Sequence, residues 1–250
     1  RKTSAKHGAI NRLNTNRPRG PMYRFLLLSL SLFVWGGCGT MNAARPLDPG
    51  EHRVGFNFGG PFTTSLGPPI PIPNFVVEAR SGLEPLGSVP VDLNYGLNMT
   101  MFAFGVTGFH TGASFHLLDQ NGAAPALSVT ERVHIYNNMI GSKPKGTKTF
   151  WGLNEFDVTA SWLAGHHILY MGMSDAIDFG DPELLISPFF GAELRPKGKG
   201  FAWQLESRWL GANYSPEVYD VSWLNTGDPG HGLFTFTVGA SWTLGGGEPS

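Results

Sequence analysis

Ten ionisable residues recur at alternate positions within apolar runs: Glu78, Arg80, Asp92, Arg132, Glu155, Asp157, Glu193, Arg195, Glu206 and Arg208. In an extended chain, residues two apart share a face, so these six acids and four arginines look away from the Phe, Val, Leu and Trp between them. Enclosed together, mixed signs favour paired, hydrogen-bonded charges, because an unpaired buried charge is costly. The other uses of such a set are a small cation-preferring passage and catalysis. His110, Ser114 and His116 also share one strand face, where a hydroxyl and an imidazole could act as nucleophile and base, although no Gly-x-Ser-x-Gly turn supports them. Adjacent His166 and His167 point to opposite faces and suit a polar turn better than a metal. Asp175, Asp178, Asp181 and Glu183 read as one acidic loop without EF-hand spacing. Lys143, Lys145 and Lys148 form a basic loop that could meet lipid phosphates. No zinc spacing, phosphate-cradling glycine loop or nucleic-acid platform occurs, so no cofactor, metal or nucleic acid is expected.

The elements that must carry these side chains read as strands. Period 2 marks ten of them, around residues 54–58, 75–80, 91–97, 109–117, 129–135, 155–162, 167–173, 186–195, 203–209 and 234–244. Two irregularities stand out: Glu131 falls on an apolar face and Phe189 on a polar one. The run 167–173 is apolar on both faces. Between strands, the connections at 59–74, 98–103, 137–148, 175–183 and 211–230 are mostly longer than those at 82–88, 119–125, 164–166 and 196–200. Long connections at one end and short turns at the other are expected of an up-and-down barrel.

Composition narrows the class in the same direction. With 34 Gly and 19 Pro in 250 residues, long helices would be broken throughout. An aromatic content of 12% with 15% charged residues excludes a chain too polar to bury a core, and one cysteine excludes a disulfide scaffold. The near-neutral net charge of −1 conceals two unlike parts. Residues 1–24 hold seven basic and no acidic residues, so the rest carries a net charge of −8.

The basic start leads into residues 25–35, FLLLSLSLFVW, which is too short to span a bilayer and has the length of a signal-peptide apolar region. Residues 1–21 are read as a disordered leader or an over-extended start, 22–37 as the signal peptide, 38–51 as a linker, 52–245 as the folded domain and 246–250 as a tail. Val34-Trp35-Gly36-Gly37-Cys38-Gly39 resembles the lipobox of bacterial lipoproteins, with Trp35 where that family has an aliphatic residue. The resemblance implies acylation of Cys38; ordinary cleavage nearby and an uncleaved anchor are the alternatives.

The stretch Glu78-Ala79-Arg80-Ser81-Gly82-Leu83, followed by Val91-Asp92-Leu93-Asn94-Tyr95-Gly96-Leu97, resembles a recurring hairpin of exported barrels. Together with the strand pattern over about 200 residues, it resembles the outer-membrane β-barrel superfamily of Gram-negative bacteria. The resemblance implies an all-β, antiparallel up-and-down barrel of about ten strands after an N-terminal signal segment, with the ten charges in its lumen. It implies a location in the bacterial outer membrane, lipid-anchored through Cys38, and contact with outer-membrane lipids and lipopolysaccharide. Such barrels close on a terminal aromatic, a place that Trp242 and Leu244 would fill. The seven tryptophans, Trp151, Trp162, Trp203, Trp209 and Trp242 among them, are expected near strand ends or on apolar faces as interfacial girdles. A structural, binding or minor transport role without catalysis is expected. The rival is a soluble periplasmic β-sandwich or lipocalin-like lipoprotein that buries the apolar face around an apolar ligand. A third reading is a lipid A-modifying hydrolase, since barrel deacylases use His, Ser and Glu, with the His two before the Ser rather than two after it as here.

Overall fold

The computed structural model describes residues 42–64, 68–140, 149–180, 183–196, 200–214 and 231–245. Ten long strands make the wall: β1 (His52–Thr63), β3 (Asn74–Leu86), β4 (Val89–Asn98), β5 (Val106–Leu118), β6 (Ala126–Asn138), β7 (Phe150–Ala164), β8 (His167–Asp178), β9 (Leu184–Leu194), β10 (Phe201–Leu210) and β11 (Leu233–Leu244). A two-residue strand, β2 (Ile70–Pro71), pairs with the end of β1, and a single helical turn, α1 (Met99–Ala103), follows β4. Each long strand is antiparallel to its neighbours in chain order, and β11 pairs back onto β1 with Val54 opposite Trp242 and Phe58 opposite Val238. That pairing closes an up-and-down barrel, so no long strand is left with an unpaired edge.

All ten strands expected from alternation are present, and most run further than the alternation did, while β9 stops at Leu194 and leaves Arg195 beyond its end. β8 continues to Asp178, which moves Asp175 and Asp178 out of the expected acidic loop and onto a strand. The connection 179–183 is consequently shorter than the one at 119–125, so long and short connections do not alternate strictly. We call the end bearing 87–88, 119–125, 165–166 and 195–200 the turn end, and the other the loop end. At the loop end, α1 is capped by Asn98, whose Oδ1 accepts a 3.0 Å bond from the Met101 amide.

The sandwich rival is overturned by the side on which the apolar residues lie. Phe190 is 60% exposed and Leu97 52%, whereas Asp157 and Asp92 are fully buried. The charged face is therefore the inside, and the greasy face is the outside. Lumen glycines let rings lie flat against the wall. A Cβ on Gly191 would sit 2.4 Å from the Tyr170 ring, and one on Gly172 2.5 Å from that of Phe189. Both distances are far inside contact, so only glycine fits beneath those rings.

The stretch read as a linker enters the barrel. Residues 48–51 turn at the rim, with the Glu51 amide bonded to Asp48 O at 2.9 Å and the Gly50 amide to Gly82 O at 3.0 Å. A Cβ on Gly82 would meet Asp48 O at 2.2 Å, so the chain crosses the rim over a glycine. From there residues 42–47 run into the lumen.

Candidate functional site

The lumen holds the charged residues in two groups. Glu155 of β7 is the centre of the first. Its carboxylate accepts from Arg132 Nη1 on β6 at 3.1 Å, from Arg208 Nη1 on β10 at 2.6 Å and from Ser174 Oγ on β8 at 3.0 Å, and lies 2.9 Å from His134 Nε2. Arg132 also reaches Asp157 Oδ2 at 2.6 Å, and Arg208 reaches Glu206 Oε1 at 3.1 Å. All six of these ionisable side chains are buried. Cross-strand geometry accounts for the Arg132 pair, because Arg132 and Glu155 are register partners. Arg208 is not on a strand adjacent to β7 and meets Glu155 across the lumen.

The second group lies nearer the turn end. Asp92 of β4 is paired with Arg80 of β3 and sits 3.0 Å from His116 Nε2 of β5. Glu193 accepts from Arg53 Nη1 at 2.8 Å and Arg195 Nε at 2.6 Å. Glu78 is half-buried on the same wall, opposite Gly55 on one side and Gly96 on the other. The structure thus places all ten charged residues on the lumen side, with Arg195 at the turn-end rim just past β9.

Residues 42–47 fill the space between the groups. The Asn42 amide and Nδ2 donate to Glu206 Oε2 at 3.3 and 3.1 Å, and Tyr170 OH donates to the same oxygen at 3.2 Å. Ser128 Oγ donates to Ala43 O at 3.4 Å, Ser161 Oγ to Ala44 O at 2.8 Å and Arg80 Nη2 to Arg45 O at 2.8 Å. The Leu47 amide donates to Asp92 Oδ1 at 3.1 Å. Ala44 packs with Ile168, Tyr170 and Phe189, three apolar residues of the lumen wall. Arg45 stays near the rim, donating to Gln120 Oε1 at 2.5 Å. Partial burial lowers its guanidinium pKa, while Asp119 draws it back up.

The remaining candidates do not converge. Ser114 Oγ is bonded to Thr130 Oγ1 at 2.8 Å and Asn94 Nδ2 at 2.9 Å, while His116 is turned to Asp92 and the His110 ring lies tilted against that of His134, with centroids 5.3 Å apart. The nucleophile and base expected from that strand are therefore not hydrogen bonded to each other. Asp175 faces outward, register-paired with Phe156, so it does not join Asp178 around an ion. His166 lies in the turn, and His167 Nδ1 accepts from the Arg195 amide at 3.1 Å. Cys38, Asp181, Lys143, Lys145 and Lys148 lie outside the described residues.

No family profile and no curated protein sequence matches the chain. Among solved structures it is similar to the transport unit of the autotransporter AIDA-I from Escherichia coli, at 8% identity over 86% of this chain and 97% of that one, with a TM-score of 0.39. It is also similar to Ail, the attachment invasion locus protein of Yersinia pestis, at 8% identity over 79% of this chain and 100% of that one, with a TM-score of 0.26. Ail in complex with the heparin analogue sucrose octasulfate gives 10% identity over the same shares and a TM-score of 0.28.

The outer surface is organised as clearly as the lumen. Near the turn end Phe201 packs on Trp203 and Trp242 at 5.2 and 5.4 Å, and Trp162 Nε1 donates to Ala123 O at 3.0 Å. Trp209 is at the loop end, bonded to His231 O at 2.9 Å. Trp151 departs from the expected girdle: it faces the lumen and stacks on Tyr136 at 5.4 Å. Glu131 does point outward, as its position in the alternation required. Asn154 Nδ2 donates to it at 3.3 Å, and Asp175 lies on the other side of Phe156.

The candidates read from the sequence leave out Arg53 and His134 and take His110 and His116 only as a base beside Ser114, though all four sit on the polar side of their alternation. Residues 42–47 are left out as well. Their signal was indirect: Ile168, Tyr170 and Phe189 spoil the polar face of their strands because an apolar residue of the segment covers them.

Proposed function

We propose that the chain is a closed β-barrel of the Gram-negative outer membrane, with the turn end in the periplasm and the loop end at the cell surface. Its role is structural or binding rather than catalytic. The observation that carries this reading is the inverted polarity, with apolar rings and aliphatics outside and paired charges inside. Strands of ten or more residues tilted by about 40° give an apolar belt about 25 Å tall, the height of such a membrane. Trp162, Trp203 and Trp242 then form the periplasmic interfacial girdle, lipids surround the belt and lipopolysaccharide meets the loop end. Against a transport role stand the salt-bridged lumen and the segment lying in it, since charges that are nearly all already paired leave no free path for an ion.

Two measurements test this. The protein extracted in mild detergent migrates faster on a gel before boiling than after, as closed barrels do, and release from membranes by high salt would refute the membrane reading. In planar bilayers the protein is silent, and steady single-channel conductance would refute the closed lumen. Export through residues 22–37 and acylation of Cys38 complete the proposal, supported by the apolar run 25–35 and the context of residues 34–39. Intact mass of the extracted protein tests it, and a mature mass without acyl chains would remove the lipid anchor.

A further inference from the structure

The segment inside the barrel is gripped mainly by its peptide groups. The Asn42 amide, the carbonyls of Ala43, Ala44 and Arg45, and the Leu47 amide are each bonded to a side chain of the wall, namely Glu206, Ser128, Ser161, Arg80 and Asp92. These five side chains come from five different strands, so together they line a path across the lumen rather than a point. Side chains are selected at two places. Ala44 fits against Ile168, Tyr170 and Phe189, where the space admits a small residue, and the Asn42 side-chain Nδ2 donates to Glu206 Oε2 at 3.1 Å.

We propose that the lumen is a binding groove for an extended peptide, and that residues 42–47 are its built-in, displaceable occupant. The ligand class is an extended segment inserted from the turn end, carrying a carboxamide, two small residues and then a basic residue at the rim. The inference rests on the closed-barrel reading above. Recognition through main-chain groups is indifferent to most side chains, so a separate peptide of this pattern fits the same wall once the chain's own segment has left. Tethering gives the built-in copy an effective concentration in the millimolar range, which keeps competitors out until that copy is weakened.

The test uses the full chain in detergent micelles and a fluorescent heptapeptide, Asn-Ala-Ala-Arg-Pro-Leu-Asp, followed by anisotropy. Ala44→Arg forces a long charged side chain against Ile168, Tyr170 and Phe189 and unseats the segment. Leu47→Glu does so differently, by setting a carboxylate beside Asp92. Each variant is expected to bind the peptide at least 10-fold more tightly than the unaltered chain, and to bind a scrambled peptide, which misplaces the carboxamide and the small residue, several-fold more weakly than the heptapeptide. Variants that keep their heat-modifiable migration but bind no better than the unaltered chain would overturn the proposal, as would equal binding of the scrambled peptide. Hydrogen exchange on the unaltered chain provides an arm that needs no variant: the Asn42 and Leu47 amides are protected, and exchange as fast as in the free heptapeptide would overturn the proposal. Conductance separates this from the preceding reading, since an unaltered chain that conducts refutes closure while tighter peptide binding by Ala44→Arg still supports the groove.

Discussion

Glu155→Gln is expected to be among the most damaging single changes in the lumen. The carboxylate accepts from two arginines and Ser174 and faces His134, at 2.6 to 3.1 Å, in a buried site. An amide of the same shape keeps one acceptor oxygen but turns the other into a donor, which then faces an arginine N–H. Removing one partner of a buried ion pair costs about 3–5 kcal/mol, and two arginines are affected here. Each has a second anion, however: Asp157 at 2.6 Å from Arg132 and Glu206 at 3.1 Å from Arg208. We therefore expect a net loss of about 3–4 kcal/mol, not twice the single-pair figure. Equilibrium urea unfolding in lipid vesicles, followed by tryptophan fluorescence and by the gel shift, measures it. Glu78→Gln serves as the control, because that side chain is half-buried, and it should cost about 1 kcal/mol or less. A loss below about 1 kcal/mol at Glu155, or equal losses at both positions, would refute the view that this network is structural. Combining Glu155→Gln with Arg208→Gln should cost less than the two changes added together, because the second removes a guanidinium that the first has already deprived of one of its two anions.

Asp175→Leu should stabilise the barrel in a bilayer by about 1–2 kcal/mol, since an outward carboxylate at membrane depth carries a penalty somewhat below that of a base; destabilisation in the same vesicle assay would argue that this face is not in lipid. Gly191→Ala should cost about 1–3 kcal/mol, because the new methyl meets the Tyr170 ring and Leu205 O, and the loss should shrink when Tyr170 is also changed to Ala; an unchanged unfolding midpoint would refute the ring-on-glycine packing. In chains retaining one tryptophan, lipids brominated near the headgroup should quench Trp203 and Trp242 and leave Trp151 bright; quenching of Trp151 would contradict its place in the lumen.

Alternation located the strands well because the two faces of this wall differ as sharply as any sequence pattern can record. Phe156, Val158 and Ala160 alternate with Glu155, Asp157 and Thr159 whatever the surroundings, and period 2 follows from the pleat alone. Strand ends were harder to see. Asp175 and Asp178 read as loop because four acids follow the apolar run 167–173 within a few residues, and β8 was cut short there. Which arginine meets which carboxylate was legible only for register neighbours such as Arg132 and Glu155. The pairs Arg208 with Glu155 and Arg53 with Glu193 join strands that do not touch, and depend on how the sheet curls. Ala43, Ala44 and Pro46 look like an ordinary connector, since small residues mark a path through a tight interior no differently from one through solvent. The clue lay on the opposite wall, in the apolar Ile168, Tyr170 and Phe189.

The order of the segment, β1 and the β1–β11 seam has a consequence for assembly. Residues 42–47 touch β3, β4 and β6 to β10, and they lead through 48–51 into the strand that seals the cylinder. Once β11 has zipped onto β1, the enclosed residues have no sideways exit and can leave only along the axis. The barrel must therefore either close around a threaded chain or draw that chain in endwise afterwards. A proteolytic cut between residues 48 and 51 would turn the same residues into a trapped guest, held by the wall without a covalent bond.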